Sequence, residues 1–380
     1  MIKTKERSNP FPVMGYHGAE YFCDRETETS QLIENIKNGS STTLLSLRRI
    51  GKTGLIHHVF DNLSSRYKCV YLDILSTENI SQFLNQLASA IIQAIPQKTS
   101  FGEKIWLFIK SLRPVISFDP LTGDPNASFE VKPAEAETNI AVIFKFLEEQ
   151  DFKTVIAIDE FQQILFYPEK NVDAWLRSII QQLQRVLFIF SGSQQQLITD
   201  LFSSPKRPFF RSTQIIKLDI IDKNTYADFI VKSFENYNKT IDQRVAEEMI
   251  EWANGYTYYV QLICNRTFSA TEKRATSEVW KHQANQILKE QEVIFFAYRN
   301  MLTIPQWQLL KAIANEIIVY QPTSKSFISK YALGGSATVL RSMKSLLKYE
   351  LIYQEFDKEG KSYLGIYDIL FAQWVKQNNI

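Results

Sequence analysis

Residues 44–60 read LLSLRRIGKTGLIHHVF, and the fold turns on this stretch. An apolar run, LLSL, gives way to two arginines and a glycine, then to GLIHHVF, whose apolar residues recur at helical spacing. A strand, a tight turn and a helix in that order gather backbone N–H groups and a helix N-terminus around one point. Ile50, Gly51, Lys52 and Thr53 then match the end of a phosphate-binding loop, G-x-x-x-x-G-K-[ST], with Arg49 before them and Gly54 after them as further candidates to contact the nucleotide. In that pattern Gly51 lets the backbone approach a phosphate, Lys52 supplies the cation, and the Thr53 hydroxyl faces Mg²⁺. The consensus glycine at position 46 is replaced by Ser46, a compact residue that still permits a turn. A Gly-Lys-Thr tripeptide is short enough to arise by chance. Its place where a strand ends and a helix begins argues against accident.

Working outward, TTLLSL (42–47), KCVYLDI (68–74), KTVIAIDEF (153–161), VLFIFSGS (186–193) and STQIIKLDII (212–221) read as apolar strands. Helical patterns lie between them, including ISQFLNQLASAIIQAI (80–95). Continuous apolar strands alternating with helices predict an α/β domain with a parallel sheet covered on both faces. The segment 111–133, rich in proline, glycine and asparagine, interrupts this rhythm and reads as an inserted hairpin. From 222 to 292 the pattern is helical, with SEVWKHQANQILKEQEVIFFAYRN as one long helix. The last 80 residues suggest three short helices and a hairpin turning at Gly360. The expected domains are 1–221 (α/β), 222–294 (helical) and 295–380.

VIAIDEFQQI (155–164) ends four apolar strand residues with Asp159 and Glu160. An aspartate at the carboxyl end of a buried parallel strand can receive the Mg²⁺ bound by Thr53, and the next glutamate can act as general base on a water. The pair also suits the start of a helix, where it would favour the dipole. Two motifs in the proper order make an ATP site the stronger reading.

Composition narrows the alternatives. With 45% hydrophobic and 22% charged residues and a net charge of +2, the chain is an ordinary globular one, and nucleic-acid binding requires a local patch. Three scattered cysteines and four histidines offer neither a disulfide framework nor a zinc site. The N-terminus lacks a signal-peptide pattern, and no run approaches 18 apolar residues, so a cytoplasmic protein without a membrane partner is expected.

EYFCDRETETSQLIENI, LLSLRRIGKTGLIHHVF, VIAIDEFQQI, FIFSGSQQQLITDLF and PFFRSTQIIKL together resemble the archaeal-type ATPase family within the STAND/AAA+ P-loop ATPases, over residues 15–380. The resemblance implies an ATPase domain, a helical lid and a C-terminal winged helix. By position it puts Asp24, Arg25 and Glu26 at the start of the first helix near the adenine. It puts Ser191 and Ser193 where a sensor residue meets the γ-phosphate or its attacking water. Arg211 becomes a candidate arginine finger or sensor, or else the partner of an acidic residue at the sheet edge. Arg48 and Arg49 would face phosphate, a neighbouring subunit of a homo-oligomer, or solvent. Relatives carry Gly-x-Pro in the lid where this chain has Gly255-Tyr256-Thr257, and Tyr256, Tyr258 and Tyr259 read as base contacts or as lid core.

In the C-terminal region Ser336 reads as the cap of a helix with apolar Val339, Leu340, Met343, Leu346 and Leu347. Arg341, Lys344, Ser345 and Lys348 share another face, which with wing residues Lys358 and Lys361 suits DNA phosphates or, equally, solvent or a neighbouring domain. The expected function is an Mg²⁺-dependent, slow ATPase acting as a nucleotide-controlled switch, with ATP or ADP bound. The alternative is a DNA- or protein-binding regulator whose nucleotide is structural.

Overall fold

The structure is a computed structural model describing residues 8–95, 97, 100–357 and 359–378. Its contacts divide the chain into two compact units, Gly15–Asp219 and a second formed by the described residues of 1–14 and 220–380.

The first unit is built on five parallel strands: β1 (Thr42–Leu45), β2 (Tyr67–Asp73), β3 (Lys153–Asp159), β4 (Val186–Gly192) and β5 (Gln214–Lys217). They lie in the order β2-β3-β4-β1-β5. All seven residues of β4 and six of the seven in β3 are buried, as expected of central strands covered by helices on both faces. The register sets Asp73 beside Asp159 and Leu45 beside Gly192, so the carboxyl ends of four strands converge on one edge. That edge of a parallel sheet is where such folds bind ligands. The predicted strand over 212–221 is shorter, only Gln214–Lys217, because β5 is an outer strand with three of four residues exposed.

Helix Ile80–Ala94 illustrates how the cover is made. Asn79 accepts a hydrogen bond from the Gln82 N–H at 3.0 Å, a cap worth about 1 kcal/mol. The helix then buries Phe83, Leu84, Leu87 and Ile91. The insertion does form a hairpin, Val115–Phe118 paired antiparallel with Pro125–Ser128, and Ser89 and Asn85 of the same helix hydrogen-bond its return strand and Phe129.

In the second unit, helices Lys223–Glu235, Gln243–Trp252, Thr257–Ala270 and Ser277–Glu290 are followed by Glu292–Met301. The single long helix expected over 277–300 is thus broken at Gln291. A two-residue parallel bridge, Thr240–Ile241 with Arg274–Ala275, was not legible in the helical pattern. Residues 9–11 pack here: the Phe11 ring is buried 5.6 Å from Phe234, and Asn265 donates to the Phe11 carbonyl at 2.8 Å.

Helices Ile304–Glu316, Lys325–Tyr331 and Ser336–Lys348 lead into the hairpin Ile352–Phe356 and Ser362–Ile366, with Val319 bridging Leu364. A closing helix, Ile369–Asn378, was not anticipated; its Phe371 and Trp374 rings pack on Phe295 and Trp307. Two expectations are corrected. Gly335, not Ser336, occupies the cap of Ser336–Lys348, and the Ser336 hydroxyl donates to the Thr323 carbonyl instead. Leu340 is 49% exposed, whereas Ser342 is buried, because the inward face centres on Val339, Ser342 and Leu346. Tyr256 and Tyr259 are buried, and their hydroxyls meet Tyr353 and Asp368 at 3.0 Å, so both act as core within this unit.

Candidate nucleotide site

The turn after β1 runs Ser46 to Gly51, and helix Lys52–Asn62 starts on Gly51 at φ 100°, a conformation that a side chain would resist. Ser46 is buried and spends its hydroxyl on the Leu47 carbonyl at 2.9 Å. Ile50 is buried and Arg49 exposed at φ 67°, while Gly54 faces the Phe22 ring, which a Cβ would meet at 3.5 Å. Lys52 is only 7% exposed; its ammonium, with three donors, makes one hydrogen bond among the described residues, to the Leu47 carbonyl at 3.3 Å. Burial pushes the lysine below its ordinary range, Asp159 and Glu160 pull it back, and Arg48 adds to the downward push. A buried, underused cation at a helix N-terminus is built to receive an anion.

β3 delivers Asp159 opposite this lysine. The Thr53 hydroxyl and the Tyr71 hydroxyl both donate to Asp159 Oδ2, at 3.0 and 2.9 Å. The Ser191 hydroxyl and the Glu160 N–H donate to Oδ1, at 2.6 and 3.0 Å. Both carboxylate oxygens are therefore held, and the side chain has one orientation. Burial and the neighbouring Asp159 carboxylate push the Tyr71 phenol well above its usual range, so it stays a donor. Asp73 lies beside Asp159, and its carboxyl is raised by burial first, then by Asp159 and Glu160, against the Leu75 N–H bond that lowers it.

Glu160 sits at φ 56° in the left-handed region, where a non-glycine residue is uncommon. The next residue, Phe161, is anchored in the core, its buried ring 4.5 Å from Phe190, 5.4 Å from Phe209 and 5.8 Å from Phe202. Phe209 comes from PFFRS, so that motif's first role is core packing. The turn aims the Glu160 carboxylate at β4, where Oε2 accepts from the Ser193 N–H at 3.1 Å, the Ser193 hydroxyl at 2.8 Å and the Gln162 amide at 2.6 Å.

The remaining sequence candidates separate. Asp24 and Arg25 adopt left-handed φ values of 57° and 74° and lead into helix Glu26–Lys37. The buried Arg25 guanidinium bonds Glu28 at 3.0 Å, the Asp219 carbonyl at 2.6 Å and the Ile50 carbonyl at 3.4 Å, tying the first helix to the loop. Arg211 is exposed at φ 52°, its guanidinium 5.1 Å over the Phe210 ring, and makes no ion pair among the described residues. The structure does not bring it to the Lys52–Asp159–Glu160 cluster. Tyr71 and Gln162 are site residues the sequence reading missed. Tyr71 and Asp73, two apart and so on one face of the strand, were the available signal for the first; a glutamine inside the FQQIL run was the signal for the second.

A loop of backbone N–H groups with a buried lysine, an aspartate–threonine pair and a following glutamate, on a five-stranded parallel sheet, define a P-loop ATPase. The family model described as "ATPase domain predominantly from Archaea" matches residues 22–263, and a model for a probable winged helix domain matches 293–377. The chain belongs to that ATPase family. Solved structures share the fold: the Walker-type ATPase of Pyrococcus abyssi is 17% identical with a TM-score of 0.65, covering 97% of this chain and 99% of that one. The Aeropyrum pernix ORC2 protein, in a structure of its ADPNP-ADP complexes, is 10% identical with a TM-score of 0.55, and 93% of each chain is covered. The ORC1 protein of the same organism, in complex with DNA, is 14% identical with a TM-score of 0.51, covering 94% of this chain and 93% of that one. The comparison with curated proteins found no match. Among the described residues no helix is long and apolar enough to cross a membrane.

Proposed function

We propose that the Gly15–Asp219 unit binds ATP with Mg²⁺, hydrolyses it slowly, and serves as a nucleotide-controlled switch. The observation that carries this reading is the Thr53 hydroxyl 3.0 Å from Asp159, beside a buried Lys52 and directly before Glu160. Lys52 and the loop N–H groups of Arg49 to Gly54 hold the phosphates. A hydroxyl and a carboxylate are hard oxygen ligands that suit Mg²⁺, which takes few protein ligands when phosphates supply the rest. Bound Mg²⁺ would offset charge on the β- and γ-phosphate oxygens. Tyr71 and Ser191 keep Asp159 turned toward Thr53. Glu160 accepts a proton from the attacking water as its oxygen bonds the γ-phosphorus; the bond to the bridging oxygen breaks and ADP leaves. Ser193 anchors Glu160. Asp24 and Arg25 shape the entry to the site, and Arg211, exposed, is available to a second copy of the chain.

Two substitutions test the assignment in the full chain. Lys52→Ala should lose about 2–5 kcal/mol of ATP affinity, the cost of truncating one partner of a buried charge pair. Glu160→Gln should bind fluorescent ATP normally while turnover drops about 10²- to 10⁴-fold. ATP binding by the Lys52 variant at wild-type affinity sinks the site. Limited proteolysis in ATP against ADP reads the switch, and identical patterns would sink that part alone.

A second reading, weak DNA binding through the C-terminal domain, is supported by the exposure of Arg341, Lys344 and Lys348 on one helix face. Lys361 on the hairpin turn is paired with Glu359 at 2.6 Å, and Lys358 lies outside the described residues.

A further inference from the structure

The two oxygens of the Glu160 carboxylate have unlike surroundings. Oε2 receives all three hydrogen bonds, two from Ser193 and one from Gln162, while Oε1 has no partner among the described residues. Gln162 is 2% exposed, and its own Oε1 is buried without a hydrogen-bond partner. Turning the amide over would set that oxygen against the carboxylate, so the nitrogen must face Glu160. The fold therefore accepts an unpaired buried carbonyl in exchange for one charge-assisted bond at 2.6 Å.

The seat for this side chain is made by strand β4. A Cβ on Gly192 would stand 2.0 Å from Gln162 Oε1 and 2.7 Å from Ile198 Cγ1, closer than real atoms approach. The run Ser191-Gly192-Ser193 thus acts as a unit: Ser191 holds Asp159, Ser193 holds Glu160, and Gly192 leaves the slot for Gln162.

We propose that Gln162 is a positioning residue for ATP hydrolysis. It pins Glu160 Oε2 with Ser193, so that Oε1 is the oxygen turned to the attacking water. Gly192 is required because it admits that glutamine. The proposal rests on the reading of Glu160 as general base. It fits the turn geometry, since Gln162 lies two residues beyond the left-handed Glu160, on the same short helical turn, Phe161–Phe166.

The experiment uses Gln162→Met, similar in volume and without a donor, in the wild-type and Glu160→Gln backgrounds. Steady-state ATPase kinetics, fluorescent-ATP binding and thermal unfolding are measured on each. The expected result is a kcat lowered about 10- to 100-fold, as for a misplaced catalytic group, with KM and ATP affinity within about twofold. The unfolding midpoint should not drop, because the unpaired carbonyl leaves with the amide; a merely structural glutamine would lower midpoint and activity together. In the Glu160→Gln background the second substitution should cost nothing further, since it acts through Glu160. Gln162→Glu, equal in shape, sets a carboxylate against Oε2 and should fall at least as far. A kcat unchanged or raised by Gln162→Met, or the same loss repeated in the Glu160→Gln background, overturns the proposal. Wild-type turnover by Glu160→Gln alone overturns the base assignment itself, and is seen without any Gln162 variant.

Discussion

Lys52 and Lys344 carry the same charge on the same stem, and the molecule gives them opposite surroundings. Lys52 is buried at a helix N-terminus beside two carboxylates, and its proton equilibrium is displaced by that burial. Lys344 stands exposed on helix Ser336–Lys348, with Arg341 and Lys348 for neighbours. Charge in a buried cluster acts at short range and low dielectric, so each group carries a large and non-additive share of the effect. Charge on an open helix face is screened, so its groups act weakly, additively and in proportion to their number. The proposed function of the first region would depend on a framework, and DNA binding at the second on a count.

The largest test of that contrast strikes the framework without touching a polar group. Phe161→Ala opens a cavity among Phe190, Phe202 and Phe209 and should cost about 3–5 kcal/mol in urea unfolding. Below the unfolding transition it should also reduce turnover more than ATP binding, because the left-handed turn at Glu160 loses its anchor. A variant with the expected stability loss but unchanged kcat would mean that the turn holds itself.

The next test is pH. The folded Lys52 titrates below the ordinary lysine value of 10.5, so between those two values the unfolded chain holds the proton and the folded chain does not. Across that window the lysine's contribution to stability rises with pH. Phosphate reverses the preference by favouring the ammonium, so ATP affinity falls as pH rises through the window, by at most about tenfold per pH unit. Calorimetry in two buffers of different ionisation enthalpy should detect proton uptake on binding at alkaline pH. Binding without uptake at any pH would place the ammonium in a normal environment.

The smallest effect belongs to the open face. If Arg341, Lys344 and Lys348 each neutralise one phosphate, log K for DNA should fall with log salt at a slope of roughly −0.9 per contact, near −3 in all. Replacing the three by alanine should flatten the slope in steps and leave ATP binding alone. An undiminished slope would show that these residues are not the contact.

What the sequence determined by itself was whatever repeats or breaks along the chain. The five apolar runs became the five strands, and Gly51-Lys52-Thr53 and Asp159-Glu160 fell at the strand ends where their spacing from those runs put them. The inserted hairpin was equally legible, because proline, glycine and asparagine act on their own backbone. What the tertiary structure decided was which side chains meet across the sheet. Tyr71 reaches Asp159 from 88 residues away, and Ser193 reaches Glu160 from 33, through strand register that no local pattern encodes. Gln162 is two residues from Glu160, yet its seat depends on a glycine of the neighbouring strand. The same reason covers Leu340, left outside because the inward face of its helix is chosen by helix Ile304–Glu316 and the hairpin strand Ile352–Phe356 that it packs on. Periodicity states that a helix has an apolar side; packing selects which residues at its margin are covered.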